Sequence, residues 1–339
     1  MTHHARTWRL ATGILGLAVC VAAAGAVRPV RAADRAYRLV ENWPQAPPGH
    51  TFGTVSGVMV DRKGVVYVFE RNALGDVWMF DKGGTYLGKW APSGKPGFVK
   101  MAHTMHMDPD GNFWVTDRTG HQVKKYTPEG KLLMTLGKYG VPGNGPDTFN
   151  GPTGMQFLPN GDFIVSDGYW NSRVVKFDKK GTFLSAVGTP RPAASMDGRG
   201  PGNFGLVHAA ALAPNGRYLV SDRCDGPVSP DDETRRNATC RDSRVQVVES
   251  DGTFVEFWNE LRGPLCLLIV GPKLFTAEGT QILTLDPNTG KELSSFEAGG
   301  GVHAIAVDAK EDNIYATYLG NAGGQRTGGT GAVRRFTRE

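Results

Sequence analysis

The sequence predicts an all-β chain: a six-bladed β-propeller of four-stranded antiparallel blades, closed by a strand from the N-terminal side. Three observations lead there. A unit of strand, Pro-Asn-Gly or Asp-Gly turn, strand, loop, strand, Gly turn and strand recurs along the chain. The 46 glycines and 21 prolines break the sequence into short runs, the punctuation of turns and not of helices. The last unit stops one strand short, while a strand-like run near the N-terminal side has no unit of its own.

Taken in order, residues 1–32 read as a signal peptide. Arg6 and Arg9 precede an apolar run from Leu10 to Val27, and Val30-Arg31-Ala32 has the small-x-small form of a cleavage site. Residues 33–55 form an N-terminal segment whose run at about 37–43, Tyr37 to Trp43, is the expected closing strand. The propeller is expected over 56–339. Its grammar is clearest where His103 leads to Asp117, Thr153 to Asp167 and His208 to Asp222, each through a Pro-Asp-Gly or Pro-Asn-Gly turn. The same grammar opens at Ser56, and weaker copies begin near Leu265 and at His303, six in all. Alternating apolar residues in these runs suit strands packed face to face. The fourth unit is interrupted by the polar stretch from Asp225 to Thr239, bracketed by Cys224 and Cys240. An exported chain would oxidise that pair, clasping the loop. Cys266 lies in an apolar run and reads as a buried thiol.

Charge excludes one class of partner. Residues 1–32 carry four arginines and no acid, so 34 basic residues face 33 acidic ones in the mature chain. The net of about +1 offers no basic surface for nucleic acid. With the signal removed, no membrane attachment is expected either. The mature chain is expected to be periplasmic or secreted, and monomeric.

The mature chain holds six histidines: His50, His103, His106, His121, His208 and His303. Three of them, His103, His208 and His303, stand at the same register, the start of the opening strand of units two, four and six. Innermost strands line a propeller's axis, so alternate units place three imidazoles a third of a turn apart. Such a tripod suits a metal that keeps an open position, and zinc is the first choice over iron or copper where no redox ligand accompanies the histidines.

A second ring comes from the end of each unit's second strand. Glu70-Arg71, Asp117-Arg118 and Asp222-Arg223 match in register, while the third unit reads Asp167-Gly168-Tyr169. The acids are expected to anchor turns. Arginines around the mouth that holds a metal suit an anionic substrate, a carboxylate best of all. Tyr169 follows a glycine and could point its phenol toward the metal.

From about Ser56 onward the chain resembles the peptidylamidoglycolate lyase family, within the wider NHL-repeat propellers. The stretches that carry the resemblance are Gly111-Asn-Phe-Trp-Val-Thr-Asp117 with His121-Gln-Val, and Val165-Ser-Asp-Gly-Tyr-Trp-Asn-Ser-Arg-Val174. The resemblance implies that His103, His208 and His303 are zinc ligands, Tyr169 the base, and Arg71 and Arg223 the substrate-contacting arginines. It implies cleavage of an N-acyl or peptidyl α-hydroxyglycine, a substrate bearing a carboxylate, to an amide and glyoxylate. The chain departs from the family at Ala304, where an aspartate linked to a bound calcium stands, and at Gly301, where a pocket methionine stands. Calcium is therefore a second cofactor that the resemblance raises and this sequence puts in question. Propellers host many functions. The residues leave open a non-catalytic binding propeller and another metal-dependent enzyme, such as a lactonase-type hydrolase.

Overall fold

The computed structural model describes residues 37–189, 200–224, 227–229, 232–236, 243–319 and 333–338. The expected signal peptide and Cys240 lie outside the described residues. Among the described residues every regular element is a strand, and 24 of the strands form six four-stranded antiparallel sheets. Four of these blades are built from consecutive strands; blade 1, for example, comprises Val55–Val60, Val66–Glu70, Val77–Phe80 and Tyr86–Lys89. Blade 4 is interrupted as expected, and two short strands of the insertion, Pro227–Ser229 and Asp232–Arg236, pair with each other and with no blade.

Blade 6 contributes Val302–Val307, Asn313–Tyr318 and Val333–Arg338, and its outermost strand is Tyr37–Leu39. Tyr37 pairs with Arg338 and Leu39 with Phe336. The closing strand is thus shorter than the expected 37–43. Beyond Val40 the chain leaves the ladder, and Trp43 packs instead against Phe80 and Tyr315.

The core is divided among blade interfaces. Six buried clusters each join two neighbouring blades, and one joins blade 6 (Ala306, Tyr315, Val333) to blade 1 (Val58, Val66, Phe80). That sixth cluster closes the ring. Burial of its aromatic and aliphatic side chains is the dominant stabilising term, at roughly 25 cal/mol per Å² of apolar surface. The turns follow from residue chemistry. In blade 1, Asp61 Oδ1 accepts the backbone N–H groups of Lys63 and Val65, and Gly64 supplies φ 82°. Asp108 and Gly111 repeat the device in blade 2, where Trp114 Nε1 also donates to Asp108.

One feature of the innermost strands has no counterpart in the expected pattern. In five blades the pairing with the second strand slips near its start, between Val55 and Gly57, Ala102 and Met105, Pro152 and Gly154, Val207 and Ala210, and Val302 and Ala304. A β-bulge re-aims the side chain that it leaves unpaired. The residues caught in the slips are Ser56, His103, Thr153, His208 and His303, with Thr104 and Ala209 alongside.

Candidate metal centre at the propeller axis

The three register-matched histidines sit in these bulges, one or two residues inside strands that open at Ala102, Leu206 and Val302. Each is essentially buried. Their rings converge, with centroids 4.9, 5.0 and 5.1 Å apart, and one ring nitrogen from each lies within 4.8 Å of the others.

The intervening blades set the tautomers. His103 Nδ1 donates to the Thr153 carbonyl at 2.6 Å, His208 Nδ1 to Leu265 at 2.8 Å, and His303 Nδ1 to Ser56 at 2.6 Å. A carbonyl oxygen only accepts, so each Nδ1 carries the proton and each Nε2 keeps its lone pair. The bulges of blades 1 and 3 therefore supply acceptors where those of blades 2, 4 and 6 supply ligands. Bulge amides are also satisfied: Thr104 N–H donates to Thr116 Oγ1 and Ala304 N–H to Thr317 Oγ1.

Burial is the first cause that holds all three imidazoles neutral. It pushes His303 down to about 3 and His103 and His208 well below the usual histidine range. The neighbouring imidazoles and the Arg71, Arg118 and Arg223 guanidiniums push the same way. Three neutral nitrogens with convergent lone pairs fit a divalent transition metal. His303 Nε2 is buried without a hydrogen-bond partner, an orphan that a metal would satisfy.

The second ring forms as the register predicts. Arg71 and Arg118 each follow the end of a second strand and donate their backbone N–H to the residue before their own blade's innermost strand, Thr54 and Met101. Arg71 Nε also donates to Ala102 O, next to His103. Arg223 closes the second strand of blade 4 and acts electrostatically on His208. The preceding acids anchor these loops: Glu70 accepts from Gly53 N–H, Asp117 from Lys100 and Met101, Asp167 from Asn150, and Asp222 from Gly205. They do not face the tripod as free acids.

Tyr169 is brought to the tripod, its hydroxyl 3.3 Å from His103 Nε2. The glycine that precedes it, Gly168, is a steric requirement. A Cβ there would lie 1.7 Å from the Val207 carbonyl oxygen, on the strand that carries His208. Gly151 makes room in the same way beneath Tyr169 Cβ.

Arg118 has a contact that register alone does not reveal. Its guanidinium carbon lies 3.9 Å from the centre of the Tyr169 ring. The other described histidines do not join the tripod. His50 stacks on Trp78, His106 binds Thr104 Oγ1, and His121 Nδ1 accepts from Gly151 N–H.

On the other side of the tripod the axis opens into a cavity of about 280 Å³ whose lining includes His208, His303, Met59, Met105, Met155 and Ala304. Among the described residues no carboxylate lines it. A calcium ion takes six to eight oxygens, usually including acidic ones. A methyl group at Ala304 supplies none, so the cavity lacks the carboxylate that the resemblance links to calcium.

Residues 149–177 match the NHL repeat model. Peptidyl-alpha-hydroxyglycine alpha-amidating lyase 2 of Drosophila melanogaster is 28% identical over 83% of this chain and 72% of its own length. Lyase 1 of the same fly is 34% identical over 78% of this chain and 50% of its own. The peptidyl-glycine alpha-amidating monooxygenase of Mus musculus is 35% identical over 52% of this chain, which spans 20% of that longer protein. A solved structure with a provisional gluconolactonase description shares the fold alone, at TM-score 0.57 and 13% identity over 90% of this chain and 98% of that one. The histidine tripod, the NHL repeat and the similarity over most of the chain point one way: this NHL-repeat β-propeller is similar to the peptidyl-alpha-hydroxyglycine alpha-amidating lyases.

Proposed function

We propose that the protein is a zinc-dependent lyase that splits the C–N bond of an N-acyl or peptidyl α-hydroxyglycine, yielding an amide and glyoxylate. The observation that carries this reading is one mouth of the propeller where three convergent Nε2 lone pairs, the Tyr169 phenol and three arginines meet. Export to the periplasm or medium, action as a monomer and a carboxylate-bearing substrate belong to the same proposal.

Zinc held by His103, His208 and His303 would supply Lewis-acid polarisation of the substrate's hydroxyl oxygen. The chain's own groups do the rest. Arg71 and Arg223 hold the carboxylate, orienting the carbinol carbon over the tripod. Tyr169 takes the hydroxyl proton. The O–H electron pair becomes the glyoxylate carbonyl, and the C–N pair leaves with the amide nitrogen, which takes up a proton. Nothing is oxidised or reduced, and the atoms of the hydroxyglycine divide between the two products.

Elemental analysis of the purified protein together with a glyoxylate-release assay on an N-acyl-α-hydroxyglycine tests the reading. Near-stoichiometric zinc, lost in H208A together with glyoxylate release, is the expected outcome. Zinc-loaded protein that releases no glyoxylate would overturn the lyase reading. Protein without a stoichiometric transition metal, or H208A with unchanged metal content, would overturn the centre itself.

A further inference from the structure

We propose that Arg118 is a positioning residue for Tyr169, covering one face of the phenol ring so that its hydroxyl stays beside His103. The resemblance to the lyase family gives roles to Arg71 and Arg223 and none to Arg118, although all three share one register. The kinetic part of this inference rests on the reading of Tyr169 as the base; the geometric part does not.

The glycines at 151 and 168 place the Tyr169 backbone, but they leave its side-chain torsions to be set by neighbours. His103 and His208 meet the ring at steep angles, 78° and 70°, with centroids 5.5 and 5.9 Å away, and Trp170 is tilted at 5.5 Å. The guanidinium of Arg118 is the group that lies over the ring, at 3.9 Å, and it also reaches Trp170 at 5.3 Å. A guanidinium is planar and weakly hydrated, so it stacks on an aromatic face in a way that an ammonium does not.

The cation is itself held in place. Arg118 is 5% exposed, and its backbone N–H donates to Met101 O beside the blade 2 bulge. A buried charge is costly unless its surroundings compensate it, and a π face provides part of that compensation. Arg71 reaches the neighbouring blade instead, its Nε donating to Ala102 O. Blade 2 thus presents a histidine ligand from its first strand and the clamp for the neighbouring tyrosine from the end of its second.

The test uses the metal-loaded full chain with fluorotyrosine placed at position 169. Wild type should give one narrow fluorine resonance, and R118A a shifted and broadened one. R118K keeps the aliphatic stem and the charge but not the planar stack, so it should resemble R118A; it also carries the test if R118A folds poorly. In glyoxylate release, R118A should lower kcat by about tenfold to thirtyfold with KM within about twofold. In a Y169F background the same substitution should cost nothing further, because Arg118 acts through Tyr169.

An unchanged fluorine resonance in both variants would overturn the proposal. So would a raised KM at unchanged kcat, which would make Arg118 a substrate ligand, or full additivity with Y169F. If wild type releases no glyoxylate, the reading of Tyr169 as base fails, and the fluorine measurement still decides the positioning.

Discussion

Replacing Gly168 by alanine perturbs the site through one methyl group. The glycine is not in the left-handed region, since it is absent from the positive-φ glycines, so an alanine there meets only a steric obstacle. Its Cβ would sit 1.7 Å from Val207 O and 2.4 Å from Val207 C. Contacts under 3.0 Å are not sustained, so the two segments must part by about 1.3 Å. Neither side can yield freely. Val207 O accepts a hydrogen bond from Thr153 Oγ1, and Val207 borders the bulge that aims His208. On the other side Tyr169 follows directly. Overpacking of this kind costs roughly 1–3 kcal/mol, which for a domain of this size lowers Tm by about 2–5 °C. Misplacement of a catalytic group by about 1 Å costs on the order of a hundredfold in turnover. G154A is the control: Gly154 lies on the innermost strand of the same blade, and its Cβ would meet nothing closer than Thr104 Oγ1 at 4.0 Å. Thermal melts, metal content and glyoxylate release of both variants give the answer. G168A that melts and turns over like wild type, or G154A that fails equally, would refute the steric account of how Tyr169 is seated.

Three further predictions follow from the same geometry. Arg223→Ala should raise KM for a carboxylate substrate by about tenfold or more, with a much smaller effect on the neutral ester, as steady-state kinetics on the two substrates will show. The metal-free protein should lose stability in acid: the tripod imidazoles are held neutral, with His303 at about 3, whereas the unfolded chain protonates near 6.5. Stability is therefore full above about pH 6.5 and falls as the pH drops toward the folded values, at up to roughly 1.4 kcal/mol per unit per histidine; a urea midpoint that stays flat from pH 7.5 to 5 would contradict this. Non-reducing peptide maps should link Cys224 to Cys240, while Cys266, whose burial pushes its thiol up to about 12, should alkylate only on unfolding; two alkylated thiols at 224 and 240 in the native protein would dismiss the clasp.

Much of this was legible in the sequence because a propeller writes its architecture locally. Pro-Asn-Gly and Asp-Gly turns recur along the chain, strand alternation marks the faces, and the missing last strand with a spare first one marks the closure at Tyr37–Leu39. Equivalent positions in a closed ring converge by symmetry, so His103, His208 and His303 could be joined from register alone, and so could Arg71, Arg118 and Arg223.

What register could not supply is everything that depends on two blades meeting. The bulges that turn the histidines toward the axis arise from pairing between strands, and no residue type in the run announces them. The tautomers are set by carbonyls of Thr153, Leu265 and Ser56, which are 50, 57 and 247 residues from their histidines. A glycine before Tyr169 is visible in one dimension, while the Val207 oxygen that requires it at 168 is visible only in three. The stack of Arg118 on Tyr169 likewise joins adjacent blades. Local chemistry determined the repeat and the identity of the tripod side chains, and contact between blades decided which nitrogen each histidine offers and where the phenol stands.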